Sequence, residues 1–281
     1  MRDPSSSSLN DIVRQKRDRL LELIRDYGSC AVAFSGGLDS SVLAKAAVLA
    51  LGEKTIAFTS TGPSMPSGER EAAVALARQI GIRHEVIATD ELDDPCYQAN
   101  TYDRCYFCKQ TICRIFLHRA KEHGITVLVD GSNVDDRDDF RPGSLAVAEL
   151  GVKSPLAECG FTKAELRKLA RDWELPTHDK PSSPCLATRI AYGLPITLER
   201  LTMVDRAEQF LHDQGVSIVR VRLHKGDIAR IEVPLDELPR LIEPTMRAKL
   251  TDHLHQCGFH RVTIDLEGFR SGSMNQAIRP E

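Results

Sequence analysis

One segment of the chain has the residue types of a phosphate-binding loop, and it reads Ser35-Gly36-Gly37-Leu38-Asp39-Ser40. A short apolar run precedes it and a helix-forming stretch follows, so a strand feeds a helix through a glycine turn. The two glycines can take positive φ and let the backbone approach a ligand, while the amides of the next helix attract anions. The serines can add hydroxyl donors, and Asp39 can hold magnesium against bound phosphates. This order favours a phosphate site over a glycine turn without a ligand.

The same segment lacks the Lys-Ser/Thr ending of the phosphate loop found in kinases and GTPases. That lysine normally reaches the β- and γ-phosphates of the nucleotide. Transfer of the γ-phosphate is therefore not the chemistry that this loop predicts.

Three cysteines form the second set of residues with chemical potential. Cys105 and Cys108 begin a helical pattern, so both thiols share one face of a first turn, where the helix dipole favours thiolate. Cys185 lies in the proline-rich segment 180–189, which predicts an ordered loop. Three thiolates can hold three irons of a cubane cluster and leave the fourth iron open, whereas zinc would need another ligand. A redox dithiol and unrelated buried thiols fit the spacing equally well. The remaining cysteines are predicted to be small buried hydrophobes, and they are Cys30, Cys96, Cys113, Cys159 and Cys257.

Strands and helices alternate around these residues in the first part of the chain. The predicted strands cover residues 30–34, 54–59, 83–88 and 126–130, and the predicted helices cover 9–26, 40–52, 67–81 and 105–123. Alternation of this kind indicates an α/β fold, a parallel sheet with helices on both faces. Ligands bind such folds at the carboxyl ends of the strands, which is where the glycine segment lies.

The pattern changes near residue 195. A helix over 162–173 begins with the capping box Thr162 and Glu165, and a second helix follows over 197–214. Strands over 218–223 and 228–233 flank the turn 224–227 and predict a hairpin, followed by a helix within 244–257 and a strand over 260–266. The chain is thus predicted to have a disordered N-terminus (1–8), an α/β domain (9–194) and a smaller α+β domain (195–281).

Bulk composition restricts the class of protein. The 281 residues include 37 Lys and Arg against 40 Asp and Glu, for a formal net charge of −3, so there is no global attraction to a polyanion. No apolar run approaches the roughly 20 residues of a membrane span, and the polar start lacks the apolar segment of a signal peptide. These features predict a cytoplasmic protein with neither a membrane nor a nucleic acid as partner.

Eight motifs between residues 35 and 272 together resemble the LarE family of ATP-dependent sulfur transferases, and the similarity runs in order from about residue 9 to 275. The glycine segment is similar to the pyrophosphate loop (PP-loop) of ATP pyrophosphatases, which cut ATP between the α- and β-phosphates. The other motifs are Arg104-Cys-Tyr-Phe-Cys-Lys109, Asp130-Gly-Ser-Asn133, Asp139-Phe-Arg-Pro-Gly143, Lys180-Pro181 with Cys185-Leu-Ala-Thr-Arg189, Arg220-Val-Arg222, Ile228-Ala-Arg-Ile-Glu232 and Gly268-Phe-Arg-Ser-Gly272.

The resemblance implies a substrate and a reaction. Pyridinium-3,5-biscarboxylic acid mononucleotide would be adenylated at its carboxylates and converted to thiocarboxylates, a stage in building the nickel-pincer nucleotide cofactor of lactate racemase. ATP and magnesium would be required, and the resemblance implies a homo-oligomer, a hexamer built of trimers. Sulfur would come from a sulfide on a 4Fe-4S cluster held by Cys105, Cys108 and Cys185, the favoured source, or from Cys185 itself, which would become dehydroalanine.

Alternation along the predicted hairpin places several charged residues on one face. Arg220 and Arg222 share one face of their strand, and Arg230 and Glu232 repeat this on the next. Guanidinium groups suit carboxylates and phosphates, although the residues alone favour a solvated, salt-bridged face. With the resemblance, the expected ATP-binding residues are Ser35, Gly36, Gly37, Asp39, Ser40, Asn133 and Arg189. The expected substrate-binding residues are Glu208, Arg220, Arg222, Arg230, Glu232 and Arg270.

Competing functions share the PP-loop. A tRNA thiolation enzyme is disfavoured by the acidic balance, since RNA affinity needs clustered cations. An ATP-dependent amidotransferase or NAD synthetase would leave the cysteine trio without a task, and a nucleotide-sensing protein would keep the loop without turnover. The acidic run at 135, 136, 138 and 139 is interpreted as a charged loop rather than a magnesium site, with Asp136 as a possible nucleotide contact.

Overall fold

The computed structural model describes residues 10–136, 142–270 and 274. Its helices are α1 (Asp11–Asp26), α2 (Leu38–Leu51), α3 (Glu69–Ile80), α4 (Pro95–Gln98), α5 (Arg104–Glu122), α6 (Gly143–Glu149), α7 (Pro155–Glu158), α8 (Lys163–Asp172), α9 (Leu198–Asp213), α10 (Leu238–Ile242) and α11 (Pro244–Gln256). Its strands are β1 (Cys30–Ala33), β2 (Thr55–Thr61), β3 (Arg83–Ala88), β4 (Leu128–Val129), β5 (Arg220–His224), β6 (Ile228–Glu232) and β7 (Arg261–Ile264).

The described residues fall into two compact units. The first takes the described parts of Met1–Gly62, Gly68–Thr89 and Cys105–Ser183, and the second those of Pro63–Ser67, Asp90–Arg104 and Pro184–Glu281. The predicted domain boundary at residue 195 stays a prediction. The predicted disordered segment 1–8 lies outside the described residues, as do Asp138 and Asp139.

A four-stranded parallel sheet is the centre of the first unit, in the order β3-β2-β1-β4. Alternate residues of β1 point to opposite faces, because successive side chains of a strand do so. Val32 packs in a core with α1, α2, α3 and α8, whereas Ala31 packs in a second core with α5 and α6. The predicted α/β fold with helices on both faces is thereby confirmed.

The strand order places a crevice beside the glycine segment. From β1 the chain adds β2 and then β3 on one side. It then crosses to the other side of β1 to form β4, so the strand order reverses between the neighbours β1 and β4. Ligands of open α/β sheets bind at such a switch point, outside the carboxyl ends of the strands. The segments that follow β1 and β4 are therefore the neighbours that define the candidate site.

β4 is shorter than the sequence predicts. Only Leu128 and Val129 are strand residues, against a predicted 126–130. Beyond them, Asp130 N donates to Lys153 O and Lys153 N donates to Leu128 O, so the edge backbone is paired by an extended residue from outside the strands. The pattern of apolar residues predicts that a strand is present. It does not predict the residue at which the strand ends and its backbone pairs with Lys153 instead.

The second unit contains a three-stranded sheet in the order β5-β6-β7. β5 and β6 form the predicted antiparallel hairpin, in which Arg220 pairs with Glu232 and Arg222 pairs with Arg230. β7 joins β6 in parallel. The apolar face, which includes Val221 and Ile231, is fully buried.

Most of the scattered cysteines are buried as predicted. Cys30, Cys113, Cys159 and Cys257 lie in the interior, and burial raises the pKa of the Cys30 thiol to about 12. The prediction for Cys96 is wrong, because this residue is exposed in the first turn of α4, where its amide donates to the Asp94 carboxylate. No helix within the described residues is long and apolar enough to cross a membrane.

Candidate functional site

The glycine segment forms an open cradle at the start of α2. Gly37 is the N-cap residue of this helix and supplies no side chain to bond the first amides. The four leading N–H groups of a helix need partners, and an anion can supply them. The hydroxyls of Ser35 and Ser40 lie 3.1 Å apart, and Ser40 Oγ donates to Gly37 O at 3.2 Å. These bonds hold the cradle in shape and present two hydroxyls to it.

Gly36 is the residue that allows the cradle to pass close to α3. Its φ is +71°, and a Cβ built on it would lie 3.2 Å from both Cα and Cβ of Ala73. Such a separation is below normal van der Waals contact. A side chain at position 36 would therefore strain the backbone and push the loop away from α3.

The segment after β4 closes the other side of the cradle. A Cβ on Gly131 would lie 3.0 Å from Ser40 N and 3.3 Å from Asp39 Cβ, so the two segments are in direct contact. Asp130 fixes this segment, because its carboxylate accepts from Ser132 N, Ser132 Oγ and Ser154 Oγ.

Asn133 follows in the same segment and is almost wholly buried. Its Oδ1 accepts from Asp135 N, and its backbone N–H donates to Asp136 Oδ2. Its Nδ2 has no hydrogen-bond partner among the described residues. A buried amide donor without a partner is costly, so a ligand acceptor would be favourable here.

Lys180 brings a cation to the loop, although the loop's own sequence has none. Its Nζ donates to Glu69 Oε2 at 2.8 Å and lies 3.4 Å from Gly36 O. The residue follows the 3-10 helix Pro176–Asp179, which is tied to α2 by a 2.6 Å hydrogen bond between the hydroxyls of Thr177 and Ser41. Lys180 stands in one of the sequence motifs, but its role does not follow from the sequence, because its partner in the loop lies far away along the chain.

In the second unit, Cys185 is the N-cap residue of the 3-10 helix Leu186–Arg189, and its side chain is half-buried. Its carbonyl accepts from Thr188 N, Thr188 Oγ1 and Arg189 Nη1. Leu186 N donates to Ser64 O at 2.8 Å. Hydrogen bonds therefore fix the backbone at the Cys185 carbonyl and at the amide of the next residue.

Arg189 is directed at this backbone and at one carboxylate. Its Nε and Nη2 each lie 3.0 Å from an oxygen of Glu208, and its Nη1 donates to Pro184 O and Cys185 O. Glu208 also accepts from Val221 N, on the outer edge of β5. The two residues thus bind one another, whereas the sequence placed Arg189 with ATP and Glu208 with the substrate.

The polar face of the hairpin is buried rather than solvated. Arg220 and Arg222 are 6% and 5% exposed, and Glu232 is fully buried. Arg222 pairs with Glu232 at 2.8 Å and donates to Thr188 O at 3.1 Å. The residues alone favoured a salt-bridged face covered by solvent. The salt bridges are present, but the expectation of solvent is wrong, because these three side chains are buried.

Arg220 makes this face attractive to anions. Its pKa is lowered to about 10, first by burial and then by the nearby charge of Arg189, with Arg222 adding to the effect. Glu208 and Glu232 act in the opposite direction but do not restore the usual value. A carboxylate or phosphate beside Arg220 would favour the charged guanidinium.

Arg230 and Arg270 lie at the edge of the same face. Arg230 pairs with Glu232 at 3.0 Å and with Asp265, while Arg270 pairs with Glu267 and lies 3.8 Å from Asp265. Burial alone would raise the pKa of Asp265, but its hydrogen bonds with Glu267 N and Arg230 lower it overall. The acidic partner Asp265 was not recognised from the sequence.

Cys105 and Cys108 lie in the first turn of α5, as predicted, and both side chains are half-buried. The residue before them, Arg104, is buried and donates to Asn100 Oδ1 and to Ala187 O, two residues beyond Cys185. Across residues 10–136, 142–270 and 274, no group of three or more His, Cys, Asp or Glu side chains is arranged to hold a metal ion. The cluster stays a prediction, and three cysteine thiolates are chemically suited to hold it.

A parallel sheet with an uncapped helix behind a glycine loop at its switch point defines an ATP-dependent enzyme of the PP-loop type. A family model described as asparagine synthase matches residues 22–135, which contain this loop. The chain is also 33% identical, over 94% of its length and 95% of the relative's, to the pyridinium-3,5-bisthiocarboxylic acid mononucleotide synthase of Lactiplantibacillus plantarum. It therefore belongs to the LarE family of these synthases.

Two further relatives extend the similarity to other organisms. An uncharacterized protein of Synechocystis sp. is 39% identical over 95% of this chain and 99% of its own. An uncharacterized protein of Methanocaldococcus jannaschii is 29% identical over 85% of this chain and 90% of its own. The similarity thus covers nearly the whole chain, including both compact units.

Proposed function

We propose that this protein uses ATP to activate the carboxylates of pyridinium-3,5-biscarboxylic acid mononucleotide and then introduces sulfur to give thiocarboxylates. The product would serve synthesis of the nickel-pincer nucleotide cofactor. The observation that carries the proposal is the uncapped N-terminus of α2 behind the glycine loop, in a chain related over most of its length to a synthase of this bisthiocarboxylic acid.

The first step is adenylation. A substrate carboxylate oxygen attacks the α-phosphorus of ATP, the bond from that phosphorus to the bridging oxygen breaks, and pyrophosphate leaves with the electron pair. The amides of α2, with Ser35 and Ser40, would bind the phosphates, and Asp39 would hold magnesium beside them by its carboxylate. Asn133 Nδ2 offers a further donor to the nucleotide.

The second step transfers sulfur. If Cys185 is the donor, its thiolate attacks the acyl carbon, the bond to AMP breaks, and a thioester forms. A base then removes the Cα proton of Cys185, and the Cβ–S bond breaks with its electrons on sulfur. The products are a thiocarboxylate and dehydroalanine. If Cys105, Cys108 and Cys185 hold a 4Fe-4S cluster instead, that group supplies a replaceable sulfide.

The buried cationic face would bind the substrate. Arg220, Arg222 and Arg230 line it, and a bound anion would offset the cost of burying the Arg220 guanidinium. A substrate with two carboxylates and a phosphate matches guanidinium groups, which bind such anions through paired hydrogen bonds. The homo-oligomeric state implied by the family stays a prediction.

Product analysis tests this function. Protein purified without oxygen is incubated with ATP, magnesium and the biscarboxylic acid, and nucleotides and thiocarboxylates are separated by chromatography and mass spectrometry. We expect AMP, pyrophosphate and thiocarboxylate to appear together. Release of ADP, or AMP formation without any sulfur product, would contradict the proposal. Iron and sulfide analysis of the same sample, with the mass of the Cys185 peptide after turnover, separates the two sulfur sources.

Lys180 would supply the cation that the PP-loop lacks. Its Nζ is already at the loop, 3.4 Å from Gly36 O, and Glu69 holds it there. A positioned ammonium stabilises charge that develops on leaving pyrophosphate. We therefore expect Lys180→Met to lower pyrophosphate release by about 100-fold, measured with a coupled pyrophosphatase assay.

The control for Lys180→Met is Lys16→Met in the same unit. Lys16 also pairs with a carboxylate, Glu165, at 2.8 Å, but it joins α1 to the start of α8 instead of contacting the loop. Lys16→Met is expected to lower the unfolding temperature without slowing pyrophosphate release at a temperature where it is folded. Equal losses of activity in both variants would contradict the role of Lys180.

A further inference from the structure

The guanidinium of Arg189 has little capacity left for a phosphate. An arginine carries five N–H donors, and Glu208 receives two of them, from Nε and Nη2. The two N–H groups of Nη1 are shared among Pro184 O, Cys185 O and Thr188 Oγ1. The side chain is 1% exposed. Four of the five N–H groups are engaged in this way, so a phosphate that bound through a pair of N–H groups would have to displace the buried carboxylate or the backbone carbonyls.

Both carboxylate oxygens of Glu208 accept hydrogen bonds from within the protein. Oε1 accepts from Arg189 Nε and from Val221 N at 2.9 Å, and Oε2 accepts from Arg189 Nη2. Val221 belongs to β5, which carries Arg220 and Arg222 on its other face. Glu208 therefore joins the edge of the substrate-facing hairpin to the arginine that holds the Cys185 backbone.

These hydrogen bonds fix the backbone of Cys185, the residue that carries the sulfur. Arg189 Nη1 donates to the Cys185 carbonyl at 3.1 Å, and Thr188 Oγ1 donates to the same oxygen at 2.7 Å. Arg222 donates to Thr188 O at 3.1 Å, so the far end of the 3-10 helix is held as well. A fixed Cα and carbonyl limit the directions that the thiol can take.

We infer that Arg189 and Glu208 are positioning residues for Cys185, not ligands of ATP or of the substrate. This inference rests on the proposed function, in which sulfur chemistry takes place at Cys185. The pair orients the thiol toward the activated carbon and keeps its backbone in register with the arginine-bearing hairpin. Misplacing a reacting atom by about 1 Å can slow a reaction by 100-fold, so the effect belongs to the sulfur step.

Arg189→Lys and Glu208→Gln test the assignment. Pyrophosphate release with its KM for ATP is compared with single-turnover formation of thiocarboxylate, and the alkylation rate of Cys185 is followed against pH. We expect the sulfur step to fall at least about ten-fold more than pyrophosphate release, with little change in the KM for ATP. The dependence of the Cys185 alkylation rate on pH should differ from that of the wild-type protein in both variants.

Thr188→Val keeps the inference testable if those variants do not fold. It removes one donor to the Cys185 carbonyl but leaves the pair of Arg189 with Glu208. A smaller, selective loss in the sulfur step would support the positioning role. A raised KM for ATP in Arg189→Lys, or equal loss of both steps, would overturn it. Wild-type protein that makes neither pyrophosphate nor thiocarboxylate would instead contradict the proposed function.

Discussion

Replacing Cys185 with serine is expected to abolish thiocarboxylate formation while pyrophosphate release continues. Either sulfur source requires this thiol, as donor or as cluster ligand, and a hydroxyl supplies neither sulfur nor a comparable nucleophile. We expect at least about a 1000-fold loss in the sulfur step under single-turnover conditions. Separate assays of pyrophosphate and thiocarboxylate on one sample measure the two steps.

Cys96→Ser is the matched control for this variant. Cys96 is an exposed free cysteine in the second unit and has no place in the proposed site. Both steps should proceed in it at the wild-type rate. Thiocarboxylate formed by Cys185→Ser at the wild-type rate would exclude Cys185 as a participant in either version of the sulfur step.

Replacing Gly36 with alanine is expected to lower pyrophosphate release by about 100-fold, because the loop must move from the position in which its amides meet the phosphates. The added Cβ would lie 3.2 Å from Cα and Cβ of Ala73, and a φ of +71° is unfavourable for alanine. The KM for ATP and the rate of pyrophosphate release are the quantities to measure.

Gly28→Ala separates backbone strain from displacement of the loop. Gly28 has nearly the same φ, +69°, yet nothing lies within 4 Å of a Cβ built there. Backbone strain alone should cost each variant about 1–2 kcal/mol in the free energy of unfolding, but only Gly36→Ala should lose activity. Comparable activity in the two variants would mean that the cradle at Gly36 is not the ATP site.

The sequence by itself determined the features that depend on near neighbours. The order of strand, glycine turn and helix from Cys30 to Leu51 follows from apolar runs and from the conformational freedom of glycine. The alternation of arginine and apolar residues along β5 likewise follows from a period of two, as does the face that Arg220 and Arg222 share. The ends of the elements did not follow from the sequence: β4 covers Leu128–Val129, against a predicted 126–130.

Only the tertiary structure decided which of these residues meet. Arg189 pairs with Glu208, 19 positions away, and Lys180 reaches a loop carbonyl 144 positions away. Nothing local distinguishes such an arginine or lysine from a solvated one. Which partners Arg189 and Lys180 have depends on how the 3-10 helices 176–179 and 186–189 each pack. Packing brings together residues that lie far apart in the sequence.

Burial of the polar face of the hairpin was decided in the same way. Periodicity states that Arg220, Arg222 and Glu232 share a face, but not whether water covers it. In the folded chain that face is buried, which lowers the pKa of Arg220 and makes an anion favourable beside it. The residue types came from the sequence, whereas their electrostatic state came from desolvation and from neighbouring charges that only folding supplies.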